Sequence, residues 1–324
     1  MRGATPPLHQ HPRSLADQGP VVLPRIVDIS DSPARLALRQ GLVVIDRPQQ
    51  PPVTFPVCEL GVVLLAHPQI SVTQPLLAAL ASSGAVLIAC DERRLPAGMF
   101  LSLVAHSLQA QRMAAQAAAT LPTRKRLWQQ IVRAKIRAQA LVLVELRGDD
   151  AGLPGLVPQV RSGDPHNVEA QAARRYWSRL LPGIDFRRDY DAPDANQLLN
   201  YGYAVLRAIV ARAIVAAGLH PSLGLHHHHR ANPFCLADDL MEPLRPVVDR
   251  VVARYVDQQG RTADLSPEAK RDILAALTGR FPADGQLRTL FDLAASAAQG
   301  LVDAFGGQRS GRLTYPERLG DAAQ

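Results

Sequence analysis

The segment LGLHHHHRANPFCLADDLME combines residues able to do chemistry: four histidines at 226–229 precede the acids Asp239 and Glu242. The two acids are three residues apart, so a helix from Leu236 to about Val248 would place both carboxylates on one face. Asn232-Pro233 breaks the chain before this helix and lets the histidine loop fold back over the acids. Two carboxylates with one imidazole suit Mg²⁺ or Mn²⁺ better than a closed structural zinc site. A solvated histidine loop beside acids that complement a helix dipole is the competing interpretation.

A second segment, SGDPHNVEAQAARRYWSRL, places an acid, two arginines and two aromatic residues on one short helix. Asp164-Pro165 predicts the helix start, with Asp as N-cap and Pro at the first helical position. Glu169 then lies about one turn inside the helix, followed by Arg174 and Arg175, whose guanidinium groups suit phosphate. Tyr176-Trp177 would stack an unpaired base or, in the simpler interpretation, join the core.

The excess positive charge of the chain lies in its middle. The net charge is +7, and residues 106–181 alone hold twelve basic and five acidic side chains. In the helix predicted from about Thr123 to Leu146, Arg126, Arg133 and Arg137 are spaced by seven and four residues and line one face. Such a stripe attracts a polyanion, and a solvated helix face is the alternative.

The order of patterns along the chain predicts an α+β fold, with a small N-terminal β-rich domain followed by a larger all-α catalytic domain. Short aliphatic runs predict strands at 25–30, 41–46, 61–65 and 85–89, with a helix at 75–83. From Leu101 onward Ala, Leu, Gln and Arg dominate, and Ser266-Pro267 predicts another helix start.

These patterns divide the chain into four parts. Residues 1–24 are expected to form a poorly ordered extension, 25–105 the β-rich domain, 106–310 the helical catalytic domain and 311–324 a frayed tail.

Three cysteines provide no disulfide framework, which favours a reducing cytoplasm, and we interpret Cys235 as a small buried hydrophobe. No apolar run approaches the ~18 residues of a membrane span, and residues 1–24 lack the apolar core of a signal peptide. We therefore expect a cytoplasmic protein that has no membrane partner.

Five sequence blocks follow one another in the order RIVDIS, RKRLWQQIVRAKIRAQA, GDPHNVEAQAARRYW, LNYGYAVLRAIVARAIVAAGLHPSLGLHH and NPFCLADDLMEPLRPVVD. Together they resemble CRISPR-associated protein 1, the spacer-acquisition integrase and endonuclease of bacterial antiviral defence, most closely in its type II form. The resemblance extends over about residues 25 to 310. Several long blocks in the right order make it highly specific.

The resemblance implies a metal site built from Glu169, His227 and Glu242, which would hold Mg²⁺ or Mn²⁺. The family pattern matches this segment without a gap and places the ligand on the second histidine, His227, with His226 as the near alternative. His228 and His229 stand where the family more often has Arg and Asn. Asp239 matches a position that is acidic in much of the family, so it would assist the metal or the DNA ends.

The resemblance also implies a homodimer that assembles with CRISPR-associated protein 2 and joins the 3′-hydroxyl ends of a double-stranded DNA prespacer to the CRISPR repeat array. The reaction would be a transesterification without a covalent protein intermediate. The side chains expected to contact DNA are Arg126, Arg133, Arg137, Arg174, Arg175 and Tyr201.

Two other functions remain open at this point. One is a non-catalytic DNA-binding scaffold in which the acids only cap helices. The other is a zinc hydrolase built on the histidine run, although the sequence has no HExxH motif.

Overall fold

The computed structural model describes residues 24–92, 96–102, 104–182, 186, 188–189, 192, 194–260, 264–308 and 311–319. The expected N-terminal extension lies outside the described residues except for Pro24, and residues 320–324 of the expected tail lie outside them as well.

The N-terminal region consists of two sheets and one helix. Its elements are β1 (Arg25–Ile29), β2 (Ala34–Arg39), β3 (Leu42–Asp46), β4 (Val53–Pro56), β5 (Leu60–Leu65), β6 (Ile70–Val72), α1 (Gln74–Ser83), β7 (Val86–Cys90) and β8 (Pro96–Phe100). One sheet has the order β1-β5-β7-β8 and the other β4-β3-β2-β6. In the first sheet β5 pairs in parallel with both β1 and β7, while β8 is antiparallel to β7.

The four predicted strands are confirmed as β1, β3, β5 and β7, and the predicted helix is confirmed as α1. Four N-terminal strands were not predicted: β2, which lies between β3 and β6 in its sheet, and three strands with weaker patterns. Strand β6 has only three residues, and β4 and β8 are edge strands that contain proline. Proline is tolerated at a sheet edge because no ladder hydrogen bond is needed there, so its usual value as a strand breaker misleads.

The second region is mostly helical. Its elements are α2 (Gln109–Ala117), α3 (Leu121–Arg147), α4 (Val168–Leu180), α5 (Ala195–Ala216), α6 (Cys235–Met241), α7 (Arg245–Gln259), α8 (Pro267–Leu277), β9 (Arg280–Ala283), β10 (Gln286–Thr289) and α9 (Leu290–Phe305). Ser266 caps α8 as predicted, by accepting the N–H of Ala269. The α+β class is thus confirmed.

The helical region is not entirely α, because β9 and β10 form an antiparallel hairpin. Its two-residue turn is Asp284-Gly285, and both residues have positive φ, at 48° and 71°. Asp-Gly is the turn dipeptide that favours this left-handed geometry between paired strands. The hairpin therefore had a local sequence signal that the expectation of an all-α domain overlooked.

Helix α5 lies at the centre of the molecule and contacts α6, α7, α8 and α9 as well as β5 and β7. Among the described helices it alone has the length and apolar composition of a membrane span, but 83% of its apolar window is buried inside the protein. Gly202 permits this packing, because a Cβ there would collide with Val248 on α7. The composition of α5 is therefore that of a core helix.

One core crosses the expected domain boundary near residue 105. Val62 and Leu64 of β5 and Val86 and Ile88 of β7 belong to the same buried cluster as the helical region. The opposite face of that sheet packs on the second sheet and α1 in a separate cluster. The sheet is thus apolar on both faces, as expected for strands that pair in parallel.

Residues 311–319 lie against the helical region, which differs from the expected frayed tail. Leu313 and Leu319 are buried, and Tyr315 donates a hydrogen bond to the carbonyl oxygen of Leu240. Gln130 of α3 bonds the backbone of Leu313. Two apolar anchors and these polar contacts hold the segment in place, and periodicity alone could not reveal them.

Candidate active site

Three elements bring two carboxylates to one ammonium group. Glu169 lies in the first turn of α4, and Glu242 begins a 3-10 turn, Glu242–Leu244, between α6 and α7. Lys135 of α3 reaches between them, with Nζ 2.6 Å from Glu169 Oε1 and 2.6 Å from Glu242 Oε2. The structure therefore brings together two of the three predicted ligands and adds a lysine that was not predicted.

The start of α4 fixes Glu169, though not as predicted. The N-cap is Asn167, with φ 49°, and not Asp164. Asp164 lies one turn earlier, where its carbonyl oxygen accepts the N–H of Asn167 and so places Pro165 in a turn ahead of the helix. The buried Asp164 carboxylate still accepts the N–H groups of Val168 and Glu169, both at 2.9 Å. It thereby satisfies donors that the first helical turn leaves open.

The helix predicted from Leu236 to about Val248 is interrupted. Helix α6 ends at Met241, the 3-10 turn follows, and α7 begins at Arg245. Pro243 and Pro246 explain the break, because neither has an N–H to continue the α-helical ladder. Consequently the two acids of this segment bind different partners instead of sharing one helical face.

Asp239 organises the histidine loop. Its side chain is fully buried and accepts the backbone N–H groups of Leu225 at 2.6 Å, His226 at 3.0 Å and His227 at 3.2 Å. The chain can approach this closely because position 224 is glycine; a Cβ there would collide with the carbonyl oxygen of His227. The loop thus folds back over the acid, as the sequence predicted.

Asp239 also orients the imidazole of His227. Oδ1 of Asp239 lies 2.5 Å from Nδ1 of His227, and this hydrogen bond raises the pKa of the histidine. A carboxylate at Nδ1 holds the proton there, which leaves Nε2 as the nitrogen available to a ligand. The His227 side chain remains 44% exposed, so that nitrogen is accessible.

Trp128 of α3 supports both histidines. The ring of His226 stacks on it with centroids 4.3 Å apart and planes 1° from parallel, while His227 meets it edge-on at 5.8 Å. Burial lowers the pKa of His226. His228 and His229 are exposed and line a cavity of about 480 Å³. Neighbouring histidines therefore have different environments, and among the described residues only His227 of this run has a carboxylate at Nδ1.

Neighbouring charges stabilise the ionised forms of Glu242 and Lys135. Burial alone would raise the pKa of Glu242, but Arg245 and Lys135 outweigh it and lower the pKa to about 2. Arg245 Nε is 2.9 Å from Glu242 Oε1. Burial would also lower the pKa of Lys135, yet Glu242 and Glu169 raise it overall. The carboxylate and the ammonium are therefore both charged at neutral pH.

The types of donor atom at this site suit a divalent cation. Glu169 Oε1 and Glu242 Oε2 both lie 2.6 Å from Lys135 Nζ, so two carboxylate oxygens face one cation position. The Nε2 atom of His227 supplies the other donor expected for Mg²⁺ or Mn²⁺. Within the described part of the chain, no three His, Cys, Asp or Glu side chains already converge on one point. Lys135 supplies the positive charge between the glutamates.

Comparisons with known proteins identify the family of this chain. Residues 27–276 match the family described as CRISPR associated protein Cas1. The CRISPR-associated endonuclease Cas1 of Neisseria meningitidis serogroup C (strain 8013) is 38% identical over 272 residues, which cover 82% of this chain and 88% of that protein.

The chain belongs to the Cas1 family.

Solved structures share the fold of this Cas1-family protein. A casposase bound to integration product superposes with a TM-score of 0.73 at 18% identity, over 88% of this chain and 91% of that chain. TM1797, a CAS1 protein from Thermotoga maritima, gives a TM-score of 0.69 at 17% identity, over 88% of this chain and 98% of that one. At these identities the likeness establishes the fold alone.

The predicted DNA-contacting arginines differ in accessibility. Arg126 and Arg137 are exposed on α3, and Arg174 and Arg175 are exposed on α4. Arg133 is half-buried, and its guanidinium donates to the carbonyl oxygen of Val160 at 2.9 Å. Four of the five arginines are therefore exposed to solvent, whereas the Arg133 guanidinium already bonds a backbone carbonyl within the protein.

Tyr201 is not available to stack a base. It is 2% exposed, and its hydroxyl donates to Asp28 Oδ2 at 2.7 Å. Tyr176 is fully buried and donates to Asp249, and Trp177 is half-buried against Tyr176 and Phe186. The alternative of core aromatics is thus the correct one for both tyrosines.

Lys135, Arg245 and Trp128 belong to the site but were not predicted. A usable signal existed for Lys135, because it stands between Ile131 and Ile136 on the buried side of α3. Lysine is almost never buried without a partner, so a lysine on an apolar helix face indicates nearby carboxylates. Arg245 follows Glu242 by three residues, a spacing at which helical side chains meet.

Proposed function

We propose that this Cas1-family protein is a divalent-metal-dependent DNA integrase and endonuclease of CRISPR adaptation. It joins the 3′-hydroxyl ends of prespacer DNA to the repeat array by transesterification. The observation that carries the proposal is the convergence of Glu169 and Glu242 on one cation position, beside a histidine whose Nε2 is presented by Asp239. The Neisseria relative is named an endonuclease, and the casposase structure contains an integration product.

Glu169, Glu242 and His227 would hold one Mg²⁺ or Mn²⁺ ion. The bound ion would supply Lewis-acid activation of a phosphodiester. Asp239 keeps the imidazole in the tautomer that can bind a metal, and Arg245 keeps Glu242 ionised. Each ligand is thus prepared by a neighbour from this chain.

The nucleophile determines the product. A DNA 3′-hydroxyl gives strand joining, whereas water gives cleavage, and neither route needs a covalent bond to the protein. The exposed guanidinium groups of Arg174 and Arg175, on the same helix as Glu169, would hold the backbone phosphates. Arg126 and Arg137 would extend this contact along α3.

Double-stranded DNA, a second copy of this chain and Cas2 are the proposed partners. A structure described as TtCas1-DNA complex shares the fold with a TM-score of 0.56 at 20% identity. Another, described as Cas6-RT-Cas1--Cas2 complex, gives a TM-score of 0.70 at 19% identity and covers 97% of this chain but 38% of that longer chain. These two structural neighbours support DNA and Cas2 as partners.

The zinc-hydrolase alternative has less support. The ring of His226 is stacked on Trp128 and that of His227 is held by Asp239, and the two ring centroids are 5.6 Å apart in an edge-on arrangement. A zinc site built on the run would need its imidazoles directed at one point.

A joining assay tests the proposal. The protein is incubated with a short duplex bearing 3′-hydroxyl ends and a supercoiled plasmid carrying a repeat, in EDTA, Mg²⁺ or Mn²⁺. We expect joined product only with a divalent ion, and none from a matched duplex with 3′-dideoxy ends. DNA binding without joining in every metal would instead support the scaffold alternative.

A further inference from the structure

Lys135 is the residue whose role the proposed reaction leaves open. Its side chain is 14% exposed and contacts both Glu169 and Glu242 at 2.6 Å. Without a cation, two carboxylates this close would repel each other in a poorly solvated site. Lys135 therefore stabilises the arrangement of the glutamates by itself, with no metal ion.

The same helix carries an acceptor that lacks a donor. Gln139 lies four residues after Lys135 on α3 and is 3% exposed. Its Oε1 atom is buried and has no hydrogen-bond partner among the described groups. Buried amide oxygens almost always accept a hydrogen bond. An unbonded amide oxygen that lies one helical turn from a flexible ammonium therefore requires an explanation.

A small cavity connects the two side chains. It measures about 180 Å³. Its lining includes Lys135, Gln139, Trp177, Tyr203, Arg245 and Asp249. Asp249 accepts hydrogen bonds from the hydroxyls of Tyr203 and Tyr176 and adds a carboxylate to this cavity. The four-carbon stem of lysine is flexible enough to reorient within such a space.

Resting on the proposed metal site, we propose that Lys135 is a positioning residue with two positions. In the metal-free protein its ammonium occupies the cation position between Glu169 and Glu242. When a divalent ion binds, the ammonium moves toward Gln139 Oε1 and the Asp249 carboxylate. Lys135 thus keeps the ligands ordered before the metal arrives and competes with it for the same place.

Mn²⁺ binding to the full-length, DNA-free protein tests this competition, measured by titration calorimetry beside thermal melts in EDTA. Lys135→Met should tighten the Mn²⁺ Kd by at least about tenfold, because the metal no longer displaces an ammonium. Its melting temperature in EDTA should fall, and Mn²⁺ should restore it. The matched control is Lys125→Met, an exposed lysine on the same helix, which should change neither quantity.

A second variant tests the other position and does not depend on the first one folding. Gln139→Leu removes the open acceptor, so the metal-free melting temperature should not fall, while Mn²⁺ binding should weaken by at least about threefold. A purely structural Gln139 would give the opposite pattern, with lower stability and unchanged Mn²⁺ affinity. Either that pattern, or Lys135→Met binding Mn²⁺ no tighter than the unmodified protein, would overturn the two-position proposal.

The metal site itself is checked in the same titrations with Glu169→Gln. Mn²⁺ binding that is lost in Glu169→Gln but unchanged in Lys135→Met and Gln139→Leu contradicts only the role of Lys135. Absence of binding that depends on Glu169 contradicts the metal site and, with it, the role of Lys135.

Discussion

The buried carboxylate of Asp239 both positions the histidine loop and orients the imidazole of His227. One oxygen accepts the N–H groups of Leu225 and His226, and the other accepts Nδ1 and the N–H of His227. Loop position and imidazole orientation are therefore linked. From the family resemblance, this acid was expected to assist the metal or the DNA ends, whereas its contacts are those of a residue that shapes the histidine loop.

Asp239→Asn tests this linkage. The amide keeps the volume but removes the charge and one acceptor, so the loop and the His227 tautomer lose their fixed position. We expect strand joining to fall by about 10- to 100-fold, the range typical of groups that orient metal ligands. The initial rate of joined-product formation measures the effect. His229→Ala changes an exposed side chain in the same loop and should retain near-normal activity. If Asp239→Asn joins strands as fast as His229→Ala, the linkage is refuted.

Asp249 gives a pH-dependent stability. Burial raises its pKa from an ordinary value of 3.8 to about 6, although hydrogen bonds from Tyr203 and Tyr176 oppose the rise. Between these pH values the folded protein holds a proton that the unfolded chain has released. This group therefore lowers the free energy of unfolding as pH rises from about 4 to 6.

Asp249→Asn should remove that component. A shift of about two pKa units corresponds to about 3 kcal/mol. Between pH 4 and pH 7 the unfolding free energy of the unmodified protein should therefore fall by up to about 3 kcal/mol more than that of the variant. Urea unfolding at several pH values measures both slopes. Parallel slopes would show that Asp249 titrates at its ordinary pKa.

The residues of the site illustrate what sequence reasoning could reach. Glu169, His227 and Glu242 were predicted as a set, from residue types and a family resemblance, and the structure brings the two glutamates together. Lys135 was overlooked because the basic helix was interpreted by its arginines. Its partners are distant in sequence, so the pairing depends on tertiary packing that no local pattern records.

At the scale of elements, α3 both supports the site and presents positive charge. Trp128 and Lys135 lie on its inward side, and Arg126 and Arg137 are exposed. The seven- and four-residue spacing predicted one arginine face, but the carbonyl oxygen of Val160 engages Arg133. Periodicity gives the direction of a side chain and cannot say which loop will cover it.

The DNA-contact prediction therefore moves to Arg126 and Arg137. Replacing both by Gln should weaken binding of unrelated duplexes to a similar degree. The slope of log affinity against log salt should become shallower by about two units, roughly one per lost phosphate contact. Salt titrations on one duplex measure the slope, and thermal melts should show little change because both side chains are exposed. An unchanged slope would remove these arginines from the DNA surface.

The same limits apply to other elements. The helix predicted across Asp239 and Glu242 began within one residue of the start of α6 but missed the break after Met241 and ended inside α7, although Pro243 and Pro246 were visible in the sequence. Strand β5 was predicted from its aliphatic run, and the edge strands β4 and β8 were missed because proline was taken as a breaker. Helices and strands with a strong periodic pattern were predicted, whereas helix breaks and edge strands depend on packing against other elements.

For the whole molecule, Tyr201 joins the two regions. It lies on the central helix α5, and its hydroxyl reaches Asp28 of β1. Lys270 of α8 makes a parallel connection to Ser30 at 2.9 Å. Together with the shared core, these bonds fix the first sheet against the helices. The two residues in each of these hydrogen bonds are more than 170 positions apart in sequence, so the patterns that placed a boundary near residue 105 did not predict them.

Tyr201→Phe separates this structural role from the DNA-stacking role expected from sequence. Losing the hydroxyl leaves the Asp28 carboxylate without that donor, so unfolding free energy should fall by about 1–3 kcal/mol. DNA affinity should stay unchanged, because the ring is buried. Denaturant unfolding and duplex binding measure the two effects. Weaker DNA binding at unchanged stability would restore the stacking role.

The most direct test of the central claim compares strand joining by Glu169→Gln, Glu242→Gln and His227→Ala with joining by His228→Ala, all in Mn²⁺ with the same labelled duplex. Each of the first three removes a proposed metal ligand, so joined product should fall at least about 100-fold, while duplex affinity stays within about twofold. His228→Ala, an exposed neighbour, should join normally. Normal joining by either glutamine variant, or loss confined to His228→Ala, would contradict the assignment of Glu169, His227 and Glu242 as the catalytic metal site.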